Sequence, residues 1–115
     1  MKFIPVNVPK LHRLEKKYIN ECISTNWISS GGYFVLEFEK KFSQIHSGIN
    51  SLAVTSGTTA IHLALVSLGI GKGDEVIVPN KTWIATAHAV QILGAKTIIV
   101  DTEQGRPIID VNLYA

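Results

Sequence analysis

The 115-residue sequence holds one cysteine, one methionine and four prolines, and only 17% of its residues are charged. Each shortage excludes something. Cys22 has no partner, so an internal disulfide is out, and its place on the apolar stripe of a predicted helix is the setting of a buried, inert thiol. No apolar run approaches the roughly 18–20 residues that span a bilayer. Met1-Lys2-Phe3-Ile4-Pro5 lacks the charged region, apolar region and cleavage site of a signal peptide, so a cytoplasmic protein without membrane contact is expected. Without secretion, the glycosylation pattern Asn80-Lys81-Thr82 is accidental.

The charge balance, 11 basic against 9 acidic residues, leaves +2, and the longest basic runs are the pairs Lys16-Lys17 and Lys40-Lys41. That is too dispersed to argue for nucleic acid or an anionic membrane. His12, His46, His62 and His88 share no ligand spacing and no Cys, Asp or Glu completes a cluster, so no metal site is expected. His62 and His88 fall within predicted sheet-packing helices, where a hydrogen-bonded, partly buried histidine is the ordinary case. Internal repeats and low-complexity tracts are missing too. With 46% apolar residues the chain is one small globular domain or a piece of a larger one, and two full domains are excluded.

What is present is patterned. After an extended start limited by Pro5 and Pro9, Leu11, Leu14, Tyr18, Cys22 and Ile23 recur at helical spacing and predict an amphipathic helix over Lys10 to Ser24. Thr25 to Gly32 reads as a loop that holds two large apolar residues, Trp27 and Ile28. Val35, Phe38, Phe42 and Ile45 predict a second helix from Tyr33 to His46. The pattern then changes. Leu52-Ala53-Val54, Glu75 to Val78 and Lys96 to Val100 are short apolar runs that predict buried strands, with helices over Thr58 to Leu68 and Thr82 to Leu93 between them. Alternating strands and helices define an α/β fold with a mainly parallel sheet. Thr102 to Pro107 is a turn, followed by Ile108-Ile109-Asp110 and a short end.

The chemistry concentrates where predicted strands give way to helices. In Val54-Thr55-Ser56-Gly57-Thr58-Thr59-Ala60 a strand breaks at a glycine flanked by hydroxyl residues. This places free amides and the positive end of a helix dipole at the carboxyl edge, a setting suited to a phosphate dianion. Gly57 permits close backbone approach, and Thr58 and Thr59 add hydroxyl donors. The simpler reading is equally open: Ser56 or Thr58 is only an N-cap. The glycines of Gly69-Ile70-Gly71-Lys72-Gly73 follow a helix and precede a strand, the reverse of a dinucleotide fingerprint, and Gly57-Thr58-Thr59 does not continue into a lysine-bearing phosphate loop.

The second such turn, Pro79 to Ala87, carries Trp83 in the predicted first helical turn, either as a platform for a flat ligand ring or as a lid over the helix end. Lys81 lies at the same edge, but nothing local would lower its pKa, and a solvated loop lysine is the simpler reading. Asp101, at the carboxyl end of a predicted strand, either reaches a ligand or caps the following turn, and the turn is simpler.

The segments Trp27-Ile28-Ser29-Ser30-Gly31-Gly32, Ser56-Gly57-Thr58-Thr59-Ala60-Ile61-His62-Leu63-Ala64-Leu65, Gly73-Asp74-Glu75-Val76-Ile77-Val78-Pro79 and Thr82-Trp83-Ile84-Ala85-Thr86-Ala87 occur in order. Together they resemble the N-terminal part of the pyridoxal-phosphate-dependent nucleotide-sugar aminotransferases, the DegT/DnrJ/EryC1/StrS family, from about Phe3 to Asp110. The resemblance implies an N-terminal fragment of the aspartate-aminotransferase-like (fold type I) large domain. Residues 1–115 would be one portion of a single transferase domain, ending before the Schiff-base lysine. Ser56, Gly57, Thr58 and Thr59 would hold the phosphate of pyridoxal 5'-phosphate (PLP), and Trp83 would stack on its pyridine ring. Trp27, Ser29 and Ser30 would lie along the mouth of the site, where the family handles its sugar and its dimer partner.

The implied activity is transfer of an amino group from glutamate to a nucleotide-linked 4-keto-6-deoxy sugar in a homodimer. Met1 to Pro5 and Glu21 to Ser30 look most like perosamine-type members, which serve polysaccharide and O-antigen synthesis. None of the nine lysines matches the family's lysine motif, so this chain alone is expected to be inactive and, with the family's central strands missing, marginal or aggregation-prone. Two other functions stay open: an inactive phosphate-binding or interaction module, and a PLP-dependent sugar dehydratase.

Overall fold

The structure, a computed structural model, describes residues 3–111; the beginning of the Met1–Pro5 segment and the end after Val111 lie outside them. The chain divides into two compact units, Met1–Ala53 and Val54–Ala115.

In the first unit the two periodic segments form helices α1 (Arg13–Ser24) and α2 (Tyr33–Ile45). α1 begins three residues later than predicted because the Glu15 carboxylate accepts the His12 amide at 2.8 Å and fixes the first turn there. Its end is set by Asn26, which takes φ 60° so that its own amide donates to Ile23 and that of Trp27 donates to the Cys22 carbonyl. This double closure satisfies carbonyls that a helix end otherwise leaves bare. The Tyr18 and Phe34 rings pack 5.0 Å apart and join the two helices. Cys22 is half-buried in this small unit, not enclosed as its stripe position predicts.

The second unit is built around a parallel pair of strands. Helix α3 (Gly57–Ser67) precedes strand β1 (Glu75–Pro79), helix α4 (Ile84–Ile92) and strand β2 (Lys96–Val100). β1 pairs with β2 in parallel, Glu75 opposite Lys96 through Pro79 opposite Val100. Gly69 at φ 76° and Gly94 at φ 73° close α3 and α4 in the left-handed conformation that glycine adopts most cheaply. In the turn at Gly71-Lys72-Gly73 the Gly71 amide donates to the Asp74 carboxylate at 2.8 Å. Val78 is buried with Val90 of α4 and Ala95, and Leu65 of α3, Ile70, Val76 and Ala87 pack against this cluster; Ala89 and Val100 are buried as well.

Three expectations need correction. Leu52-Ala53-Val54 is not a strand, because no described strand pairs with it in a hydrogen-bond ladder; Leu52 is 69% exposed, and the Ala53 amide donates instead to Glu39 at 2.8 Å. The strands are only partly covered. Ile99 lies beside Val78 in the ladder and Ile77 alternates to the other face, yet they are 67% and 54% exposed. His62 is half-buried, but His88 is exposed on α4 rather than packed on the sheet.

Parallel sheets are ordinarily covered on both faces, and here large apolar side chains of both units face solvent. The expected outcome is that the purified 115-residue chain self-associates. Sedimentation velocity and calorimetry check this, and a monomer with a cooperative melt would contradict it.

Candidate functional site

The predicted site residues fall in different units. Ser56, Gly57, Thr58, Thr59 and Trp83 belong to the second, and Trp27, Ser29 and Ser30 to the first.

Ser56 is the N-cap of α3, extended at φ −160° and ψ 162°. Its Oγ accepts the Thr59 amide at 3.2 Å, while its carbonyl accepts the Ala60 amide at 3.0 Å. The capping reading is therefore realised, but one serine cannot use up the helix end. A helix leaves four amides without an internal acceptor, and the cap serves only Thr59, so those of Gly57 and Thr58 stay available. The hydroxyls of Ser56 and Thr59 are 3.0 Å apart, and those of Thr55 and Thr59 are 3.4 Å apart. Thr55 was not singled out from the sequence; its signal is the spacing of four from Thr59 across the helix start.

A phosphate dianion fits this end. No acidic residue occupies the first turn of α3, and a Cβ built on Gly57 would meet nothing within 4 Å, so the backbone is open to a ligand. The amides, the hydroxyls and the helix dipole all favour negative charge.

Trp83 stands just before α4, not within its first turn. Its backbone is extended at φ −65° and ψ 140°, and its carbonyl accepts the Thr86 amide at 3.0 Å. The indole is 86% exposed, which suits a platform for a flat ring and rules out a lid sealed over the helix end. With Lys81, Thr82, Ile84 and Pro107 it lines an open cleft of about 510 Å³. No hydrogen bond or ring contact joins Trp83 to Ser56 or Thr59 among the described residues. Asp101 accepts from the Asn80 side-chain amide at 2.6 Å, so it meets the neighbouring loop as well as the turn after β2.

In the first unit, Ser29 and Ser30 are exposed on the α1–α2 loop, where the Gly32 amide donates to the Ser29 carbonyl at 3.2 Å. Trp27 and Ser29, with Cys22, Ile28 and Val35, line a hollow of about 330 Å³. Among the described residues no group of three His, Cys, Asp or Glu side chains is placed to hold a metal ion. No described helix is long and apolar enough to cross a membrane.

Comparison with known proteins follows the same lines. A sugar aminotransferase of Streptococcus pneumoniae in its PLP form superposes with a TM-score of 0.87 at 29% identity, over 96% of this chain and 28% of that one. A GDP-4-keto-6-deoxymannose-3-dehydratase superposes at 0.83 with 27% identity, over 94% of this chain and 29% of that one. The GDP-perosamine synthase of Escherichia coli O157:H7 is 48% identical over 103 residues, which are 90% of this chain and 28% of that protein. The chain thus spans little more than a quarter of the length of the relatives it matches.

The fold is that of the N-terminal part of a fold type I PLP-dependent transferase. Residues 9–114 match the DegT/DnrJ/EryC1/StrS aminotransferase family, and the chain belongs to it.

Because Ser56 serves one amide and no more, Ser56→Ala is expected to cost about 1 kcal/mol of local helix stability, and Ser56→Gly only a few tenths. The check is amide exchange across the first turns of α3, which the alanine variant speeds by about fivefold.

Proposed function

We propose that residues 1–115 form the cofactor-phosphate portion of an enzyme that moves an amino group from glutamate to a nucleotide-linked 4-keto-6-deoxy sugar of the perosamine type. The observation that carries this reading is the 48% identity to a GDP-perosamine synthase along 90% of the chain. The open, cation-like start of α3 supports it independently.

In this reading the Gly57 and Thr58 amides hold the cofactor phosphate, with the Thr58 and Thr59 hydroxyls beside them and Ser56 keeping the helix end in shape. Trp83 would stack on the pyridine ring and shield it from water. Trp27, Ser29 and Ser30 meet the sugar nucleotide or the second subunit of a homodimer. When bound, PLP supplies the electron sink that amino transfer requires, and the protein supplies its orientation. The lysine that exchanges protons with it lies outside residues 1–115, so these residues alone bind without turning over. The product would enter cell-surface polysaccharide such as O-antigen, and the enzyme would work in the cytoplasm.

A sugar dehydratase is the second reading, because a dehydratase superposes almost as well as the aminotransferase. The groups that separate the two chemistries would act from beyond this segment. An inactive phosphate-binding module is the third.

The test is a chimera in which residues 1–115 replace the matching segment of the Escherichia coli O157:H7 GDP-perosamine synthase, incubated with the GDP-linked 4-keto-6-deoxy sugar and glutamate. A 4-amino sugar is the expected product. Cofactor binding without turnover would select the inactive module. In the same chimera Trp83→Ala is expected to weaken PLP binding by about 1–3 kcal/mol, the range for lost stacking and burial. Equilibrium dialysis measures this, and unchanged affinity removes Trp83 from the site.

A further inference from the structure

The carboxyl ends of β1 and β2 are tied together one residue beyond their last ladder pair, Pro79 opposite Val100. The Asn80 amide donates to the Val100 carbonyl at 2.8 Å, and Asn80 Nδ2 donates to Asp101 Oδ1 at 2.6 Å. Asp101 also starts a short antiparallel excursion. Its carbonyl accepts the Asp110 amide at 3.2 Å, Thr102 bridges to Ile109, and the Glu103 amide donates to Ile108 at 2.9 Å.

These bonds determine what surrounds Trp83. One wall of its cleft is the loop Lys81 to Ile84, which leaves the sheet at Asn80, and the other is Pro107, at the turn of the excursion. Asp101 is joined to both walls, to the loop through its carboxylate and to the excursion through its main chain. Besides this, Trp83 is located by contacts with α4 itself: its carbonyl accepts the Thr86 amide at 3.0 Å and the Thr82 and Thr86 hydroxyls lie 3.2 Å apart, while the indole is 86% exposed and α4 has no side-chain cap. A bond to an ionised carboxylate belongs to the stronger class of hydrogen bonds, so it is a fitting tether for the loop.

We infer that Asp101 is a positioning residue: by holding Asn80 it sets the loop that presents Trp83 to the cofactor ring. This rests on the proposed function, and it assigns Asp101 no contact with cofactor or substrate. The phosphate is held elsewhere, at the start of α3, so the tether governs the grip on the ring and not on the anion.

The experiment uses the same chimera and pyridoxamine 5'-phosphate, which has no aldehyde and cannot react with surface lysines. Asp101→Ala and Asn80→Ala are expected to weaken its binding by about tenfold, the scale of one hydrogen bond to a charged group. Asp101→Asn keeps an acceptor oxygen for Asn80 and stays within about twofold of the parent. Inorganic phosphate, measured by competition, binds all of them equally. Hydrogen–deuterium exchange of the peptide spanning Lys81 to Ala87 quickens in the two alanine variants and not in Asp101→Asn.

Parental binding by Asp101→Ala would overturn the inference. So would an equal loss in Asp101→Asn, or a parallel weakening of phosphate. If the parent chimera ignores pyridoxamine 5'-phosphate, the proposed function fails, and exchange of the Lys81–Ala87 peptide still decides the tether. Faster exchange in Asp101→Ala then sustains it, and parental exchange removes it.

Discussion

Two parallel strands cannot be joined by a tight turn; the chain must cross back over the sheet before the second can start. In this protein α4 is that crossing, and it places the residues around Trp83. The crossing carries Asn80, Lys81, Thr82 and Trp83 out at the carboxyl edge of β1, and the return along β2 brings Asp101 to the same edge. It also brings Val90 over Val78 in the small buried cluster. Ligands of open α/β sheets gather at this edge because helices start there with unsatisfied amides.

The two helix starts in this unit solve the same problem differently. α3 begins with a serine that accepts one amide, and the remaining donors face outward beside hydroxyls. α4 begins at a tryptophan that accepts nothing through its side chain. The first is chemically prepared for an anion and the second for a flat apolar surface. A ligand with a phosphate at one end and an aromatic ring at the other would use both. That division of labour supports PLP over a simple phosphate, which would have no use for an exposed indole.

Much of this was legible in the sequence, and where it was not the reasons are physical. Helices α1 and α2 could be read because amphipathic spacing is local, and β1 and β2 because β-branched runs between glycines leave few alternatives. Leu52-Ala53-Val54 looked equally convincing, but being a strand requires a neighbour as well as an extended backbone. Asn26 passed unnoticed as a helix stop because a left-handed asparagine has no side-chain pattern around it, unlike Gly69 and Gly94. The N-cap and phosphate readings of Ser56 to Thr59 proved compatible, since a cap uses one donor of several. The Asn80–Asp101 bond links residues 21 apart; only the strand register brings them together. Trp27 and Ile28 stood out as apolar residues in a loop, and the Trp27 amide closes the end of α1 by donating to Cys22.

The strand pair also carries a polar contact at each end. Glu75 meets Lys96 at 2.6 Å where the strands begin, and Asn80 meets Asp101 where they finish. Both contacts are exposed and add little to stability. Their value is as a gauge: sliding β2 by one residue would part both pairs together. The alignment is thus proofread at both ends by groups that never enter the core.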